Sequence, residues 1–478
     1  MAFFRCFLRH NTLRGFVIVS GKLFATSSLC QSSSRENSPR RQKVHLFGSP
    51  AALPEGSSKS SFFRDSKEWK MITFGPYFGV ALDNDDNIYI WGQSSNNDYK
   101  APFTAFKLLG LKDIQCSKND VYLLRSDGAV YVIRDISVLL NHNDDPKLEK
   151  VDFQTYIPSS RTPKVINMSV GDSHAAFVTE DGELYCIGNN EYGQCGARPS
   201  NIIRESTFLV YQPEDDKSDD EISLNRVTFN EGVKIRNVVC GGRHTICIDD
   251  ENNIYTFGDD SSVQLFLGDT RGRSLLEQEL YKDYFKKHGN VDISDMHFSQ
   301  KTEMIHQLHT DKRRGRHLQY NPIKINDVGP IKRFNDLIKK STITVTAGDD
   351  FTIIVLTPKD GDSLGSTVFA SGGNKFSQCG SLDVRIHKAQ TVKFPKESKI
   401  TAATCGSNHC LALLESNGLL AWGNNSSGQL IIPKKGCITS PEFVDIHHDH
   451  PDELAKGHNL NEIKYMKCAY NNTVIITS

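Results

Sequence analysis

Several things are missing from this 478-residue sequence, and each absence excludes something. Its 12 cysteines include no C-x-x-C pair, so the spacing argues against a standard zinc site. No apolar run approaches the roughly 18 residues of a membrane-spanning helix, which leaves only a peripheral membrane association. No charge dominates: 56 basic against 57 acidic side chains leave a formal net charge of -1. A dedicated DNA-binding protein is usually basic over its whole domain, so DNA is not an expected partner. The chain also lacks a phosphate loop, a dinucleotide fingerprint and a nucleophile–base pair. No catalytic residue, cofactor site or metal site is therefore assigned.

What is present is ordinary in bulk, with 38% apolar and 24% charged residues, enough for a sizeable core. The first 42 residues differ from the rest. They carry Arg5, Arg9, Arg14 and Lys22 and many serines, with no acidic residue before Glu36. Basic residues interleaved with Phe, Leu and Val can form a helix with one cationic and one apolar face. That is the pattern of a mitochondrial presequence, ending near residues 30–42, and it predicts residence in the matrix or on the matrix face of the inner membrane.

From residue 43 to 478 the chain repeats itself. "TCGSNHCLALLESNGLLAWGNNSSGQL" at 404–430 aligns with "SVGDSHAAFVTEDGELYCIGNNEYGQCG" at 169–196 and "VCGGRHTICIDDENNIYTFGDDSSVQL" at 239–265. Further copies begin at 72 and 345, and a degenerate one spans 115–135. A seventh is split: "MKCAYNNTVIITS" ends the chain, and its missing half reads "VHLFGS" at 44–49. Each copy holds two short apolar runs around a polar turn such as Asp-Gly or Asn-Gly, a tight-hairpin signal. Another strand-like run precedes each copy, giving about four strands per unit. Such units pack radially around an axis and protect their edges by closure. The predicted fold is all-β, a seven-bladed propeller closed by a blade shared between the termini. Insertions are expected at about 134–165, 197–232 and 269–330, the last partly helical.

The pattern C-G-x-x-H…W-G-x-N-x-x-G-Q-L resembles the regulator-of-chromosome-condensation repeat family, and together with the leader looks most like its mitochondrial branch. The resemblance implies the split-blade propeller. It also implies functions ranging from guanine-nucleotide exchange to partner binding in organelle RNA and ribosome maturation, fusion or respiratory-complex assembly. Exchange-factor members use an inserted hairpin and acidic contacts on one propeller face. The expectation is a non-enzymatic mitochondrial scaffold for a protein partner: a ribosomal protein, an assembly factor or a GTPase. Mitochondrial rRNA and the inner-membrane surface are further candidate contacts. The alternative is an exchange factor for a mitochondrial GTPase, for example in mitochondrial fusion.

Individual residues are read against the repeat. The signature positions are Gly75, Gly171, Gly241, Gly348 and Gly406, with His174, His244 and His409 three residues after three of them. Recurrence at equivalent places around a ring marks these histidines as structural. Cys116, Cys240, Cys405 and Cys468 precede the signature position, where a small half-apolar residue suits a crowded strand. "GDSLG" at 361–365 matches the nucleophile-elbow spacing, but it falls in a hairpin turn and not at a strand-to-helix turn. "DNDDN" at 83–87 reads as a polar turn, since it lacks the glycine and distal Glu of a calcium loop. "HHDH" at 447–450 and the acidic "PEDDKSDDEIS" at 213–223 read as solvated loops. In "DKRRGRH" at 311–317, Lys312, Arg313, Arg314 and Arg316 form a candidate partner-binding patch, able to meet phosphate.

Overall fold

The computed structural model describes residues 16–19, 22–25, 42–54, 62–64, 67–94, 99–141, 146–153, 163–199, 202–205, 208–211, 221–268, 318–327, 330–359, 365–382, 389–395, 398–433, 435–444 and 462–478. Its sheets form seven blades, each made of antiparallel neighbours in chain order. Blade 1 comprises Trp69–Phe74, Phe78–Asp83, Asn87–Gln93 and Tyr99–Lys107. Blade 2 comprises Leu111–Cys116, Val121–Arg125, Val130–Ile133 and Leu148–Lys150. Blade 3 uses Val165–Val170, His174–Thr179, Leu184–Asn189 and Glu221–Arg226. Blade 4 uses Ile235–Cys240, His244–Asp249, Ile254–Asp259 and Leu318–Lys324. Blade 5 has Ser341–Ala347, Phe351–Pro358, Thr367–Gly372 and Gln390–Val392. Blade 6 has Ile400–Cys405, His409–Leu414, Leu419–Asn424 and Cys437–Val444.

Blade 7 is the predicted composite. Ile463–Ala469 pairs with Asn472–Thr477, which pairs with Lys43–Gly48 in the register Val44↔Ile476, Leu46↔Val474 and Gly48↔Asn472. The two ends of the chain thus complete one sheet, and the ring has no loose joint. Phe16–Val19 and Lys22–Ala25 also belong to this sheet, as a hairpin whose first strand runs parallel to Ile463–Ala469. The presequence reading expected a helix here. Residues 16–19 and 22–25 form strands, with Ile18 paired to Tyr465 on the edge of Ile463–Ala469.

The strand-like run before each repeat divides between two blades. Its first part is the outer strand of one blade, Glu221–Arg226, and its second part the inner strand of the next, Ile235–Cys240. The stretches expected as insertions likewise hold outer strands: Leu148–Lys150, Glu221–Arg226 and Leu318–Lys324. The acidic run 213–223 therefore ends inside a strand. Pairing Asn189↔Glu221 and Asp259↔Leu318 puts both ends of the blade 3 and blade 4 insertions level with one face of the ring. The blade 3 insertion contains a hairpin, Ile202↔Tyr211 to Glu205↔Phe208. The described helical residues near the blade 4 insertion follow it, at Pro330–Phe334 and Asn335–Lys340.

The second strands are buried on both sides. Phe78–Asp83, His174–Thr179 and His409–Leu414 have no exposed residue, because neighbouring blades cover both faces. Blade-to-blade burial of residues such as Ile72, Leu411 and Ile475 contributes about 1.5–3 kcal/mol per large side chain and accounts for most of the stability.

Candidate functional site

The seven inner strands surround an axial cavity of about 120 Å³ lined by residues of every blade, from Thr73 in blade 1 to Tyr465 and Tyr470 in blade 7. Each inner strand ends in a tight turn before the second strand. Together these turns make up one face of the propeller, called here the signature face.

The turns are linked in a chain of backbone hydrogen bonds. Lys118 N–H donates to Asp172 O, Asp172 N–H to Gly242 O, Asp349 N–H to Ser407 O, and Ser407 N–H to Tyr470 O; Gly242 N–H donates to both Gly348 O and Asp349 O. This stitches blades 2 to 7. Pro76 occupies the donor position in blade 1 and has no N–H to give. The signature glycines are required by packing. A Cβ on Gly241 would lie 2.1 Å from the His244 ring and 2.6 Å from the Gly348 carbonyl oxygen. One on Gly406 would lie 2.3 Å from His409 and 2.4 Å from the Tyr470 carbonyl oxygen. Where the residue three places on is a ring, as at Phe78, His174, His244, Phe351 and His409, the signature residue is Gly. Where it is Asp120 or Asn472, Ser117 and Ala469 are accommodated.

The three histidines are fully buried and latch neighbouring blades. His174 Nε2 lies 2.9 Å from Thr245 Oγ1, His244 Nε2 2.8 Å from Thr352 Oγ1, and His409 Nε2 3.0 Å from Thr473 Oγ1. Thr245 donates its own hydroxyl to Gln194 O at 2.8 Å, so it accepts from His174, which carries its proton on Nε2. Burial lowers each imidazole to about 3, and all three stay neutral near pH 7. Asp120 in blade 2 instead binds its own blade, accepting from Asp135 N–H at 2.9 Å and Arg134 Nη1 at 3.4 Å.

A second inter-blade device was not visible in the sequence. Hydroxyls on the inner strands accept from the next blade: Ser169 Oγ from Cys240 N–H, Thr346 Oγ1 from Cys405 N–H, and Thr404 Oγ1 from Cys468 N–H, at 2.8–3.1 Å. The cysteines beside them are free, and burial pushes the Cys116 and Cys240 thiols up to about 12, far from reactive thiolates.

The signature face is charged. Lys118 Nζ pairs with Asp172 at 2.9 Å. Arg243 binds Asp259 Oδ2 through Nε and Nη2 at 3.0 and 2.8 Å while lying 4.7 Å from the Tyr192 ring centroid. Burial, with Asp172 nearby, raises the Asp349 carboxyl to about 6. Asp350 is likewise raised by burial. The opposite face consists of polar hairpin turns. There Asp83 Oδ1 accepts the N–H groups of Asp85 and Asn87, both at 2.9 Å, so "DNDDN" is a self-capped turn. No cluster of three or more metal-ligating side chains occurs among the described residues.

Residues 361–364, 447–450 and 311–317 lie outside the described residues. The elbow-like motif, the His-rich run and the Lys312, Arg313, Arg314 and Arg316 patch therefore have no geometry to report.

A family model for the regulator of chromosome condensation (RCC1) repeat matches residues 165–194, 235–264 and 400–429, and a second model of that repeat matches 181–248. The first three stretches run from inner strand to the turn glutamine (Gln194, Gln264, Gln429) in blades 3, 4 and 6, the blades with histidine latches. The chain is a β-propeller whose blades 3, 4 and 6 carry RCC1-type repeats. Among curated proteins it is 25% identical to the ultraviolet-B receptor UVR8 of Arabidopsis thaliana over 397 residues, 80% of this chain and 71% of that one. It is 24% identical to the Saccharomyces cerevisiae protein FMP25, mitochondrial, over 289 residues, 57% of this chain and 40% of that one. That partial likeness ties it to no mitochondrial branch of the repeat family. A crystal structure of Prp20p from Saccharomyces cerevisiae, described with its binding to Gsp1p and histones, superposes with a TM-score of 0.57 at 14% identity, covering 92% of each chain. Yeast RCC1 (Prp20) bound to Kap60 superposes with 0.59 at 13%, covering 95% of this chain and 96% of that one.

Two expectations are corrected here. Both structures are of Prp20p, studied with Gsp1p and with Kap60, and they favour the exchange-factor alternative over a non-enzymatic scaffold. The mitochondrial placement is corrected as well: histones and Kap60, the partners named for Prp20p, point away from the mitochondrion. The ribosomal, RNA and membrane partners expected from sequence draw no support from these likenesses.

Proposed function

We propose that this propeller binds a small GTPase on its signature face and promotes release of the bound guanine nucleotide. One observation carries the reading. The blade 3 insertion, which holds a hairpin, leaves and rejoins its blade on the face that carries the carboxylates Asp172, Asp349 and Asp350, where turns of blades 2 to 7 are fixed by backbone bonds.

Exchange is a coupling of affinities. A partner that binds the nucleotide-free GTPase more tightly than the loaded form weakens nucleotide binding by the same factor. The cations that hold the phosphates, a phosphate-loop lysine and Mg²⁺, lose their counter-charge when nucleotide leaves. A rigid acidic rim replaces part of that charge in the empty state. Asp349, poised at about 6, ionises fully once a cation approaches. The basic run Lys312, Arg313, Arg314 and Arg316 is proposed as a further contact for the same partner.

The test is release of a fluorescent GDP from a panel of small GTPases that includes Gsp1p. The expected result is catalytic acceleration of release from one member, together with retention of that member only when nucleotide-free. Asp349→Asn is expected to slow release by about tenfold, a loss of about 1.4 kcal/mol. No acceleration from any member would overturn the proposal.

A further inference from the structure

The seam between blades 1 and 2 differs from the other joints. Pro76 removes the backbone donor. Phe78 stands where blades 3, 4 and 6 have histidine. Thr73, the counterpart of Ser169, Thr346 and Thr404, is buried, yet its Oγ1 has no hydrogen-bond partner among the described residues. At this joint, on the signature face, lies a groove of about 440 Å³, within the range of about 300–1,000 Å³ typical of ligand pockets.

Its floor is apolar, made by Phe78, Ile136 and Leu140, and Tyr77 stands 61% exposed at its edge. Ser94 also lines the groove. It is only 6% exposed, and its Oγ has no hydrogen-bond partner among the described residues. A buried hydroxyl left without a partner costs about 1–3 kcal/mol, which an incoming polar group would recover.

The charges are asymmetric. Lys118 is neutralised by Asp172 at 2.9 Å, and the neighbouring Arg134 is turned to Asp120 and Glu149 at 3.4 and 3.7 Å. Asp135 is exposed and forms no ion pair among the described residues; its Oδ1 accepts only from Ser137 Oγ. The groove therefore presents an apolar floor, polar walls that include the Ser94 hydroxyl, and Asp135 as the carboxylate without an ion pair among the described residues.

We infer that this seam is a docking groove for a segment of a protein partner in which a basic side chain lies beside an aliphatic one. The aliphatic group covers Phe78 and Leu140, the basic group pairs with Asp135, and a backbone amide of the segment meets Ser94 Oγ. This goes beyond nucleotide exchange and does not depend on it.

The test is selection of a displayed library of random peptides on the full chain, followed by titration of a selected peptide. Enrichment of Lys or Arg next to Leu, Ile or Met is expected. Asp135→Asn suits the left-handed backbone at this residue (φ 49), and should weaken the peptide about tenfold, with the loss diminishing at high salt. Ser94→Ala should weaken it about fivefold, and circular dichroism would confirm that both variants fold. Enrichment of acidic peptides, no enrichment, or affinity unchanged by Asp135→Asn would each overturn the inference. Because the readout involves no nucleotide, loss of one proposal leaves the other standing.

Discussion

The arc of blades 3 to 6 and the arc of blades 7, 1 and 2 close the same ring with different interactions. In the first arc each Gly-Gln turn is held by a matched pair of side-chain bonds: Asn190 Oδ1 accepts from Cys195 N–H, and Gln194 Oε1 from Tyr192 N–H. The same pair recurs at Asn425 and Gln429. Histidine latches or inner-strand hydroxyls then fasten each of the four joints from blade 3 round to blade 7. The second arc relies on aromatic packing and long side chains. Trp69 meets Phe63 and Tyr89 at 4.8 and 5.2 Å between ring centroids. Trp91 Nε1 donates to Ala52 O at 2.8 Å, and Tyr465 Oη to Ile72 O at 3.0 Å. Lys467 Nζ reaches past blade 1 to Ile114 O at 3.2 Å. Directional bonds demand particular residues at fixed spacing, whereas apolar packing accepts any side chain of suitable volume. The first arc therefore repeats itself more closely in sequence than the second.

The contrast breaks most sharply at the signature position. Gly241→Ala should cost about 3 kcal/mol, by overpacking against His244 and the Gly348 carbonyl, as read by urea unfolding. Ala469→Gly, beside the smaller Asn472, should cost under about 1 kcal/mol. Equal losses would mean that ring contact does not set the glycine requirement.

The histidine latches make the first arc acid-sensitive. Each imidazole is lowered to about 3 in the folded protein, against about 6.5 in an unfolded chain. Their contribution is complete above pH 6.5 and is lost as pH falls towards 3. Each site loses about 2 kcal/mol by pH 5. Replacing His409 with Phe, the residue found at Phe78 and Phe351, should flatten this dependence by about a third. Hydrogen exchange at pH 5 should show blades 3, 4 and 6 opening before blade 1, and a uniform loss would count against the latch.

The smallest effect separates the inner-strand hydroxyls. Thr346→Val leaves Cys405 N–H without its acceptor at 3.0 Å and should cost about 1–2 kcal/mol. Thr73→Val removes a hydroxyl that already lacks a partner and should be neutral or stabilising. A cost at Thr73 equal to that at Thr346 would show that the seam is not special.

Much of the fold was legible because the bonds of the first arc recur. Gly171, His174 and Gly188 stand in the same relation as Gly406, His409 and Gly423, so the spacing alone announced a repeated strand–turn–strand. The split blade was legible because "VHLFGS" carries the alternation of a third strand without the first two. Outer strands such as Leu148–Lys150 are only three residues long, too short for a periodic apolar pattern, and those of blades 2 to 4 were absorbed into expected insertions. The candidate sites were less legible. The axial mouth gathers Asp172 and Asp349 from two blades, and the seam groove joins Tyr77, Ser94 and Asp135 from two more. None of these sets has a sequence spacing that could reveal it.

The sequence by itself determined the blade, the number of blades and the place where the ring is tied, because each follows from local periodicity and from steric rules acting within a few residues. Tertiary structure alone decided which carboxylates share the axial mouth, which hydroxyls lose their partners and where the ring is weakest. Those properties arise where blades distant in the chain meet, and burial and charge at such joints depend on distance in space and not on separation along the chain.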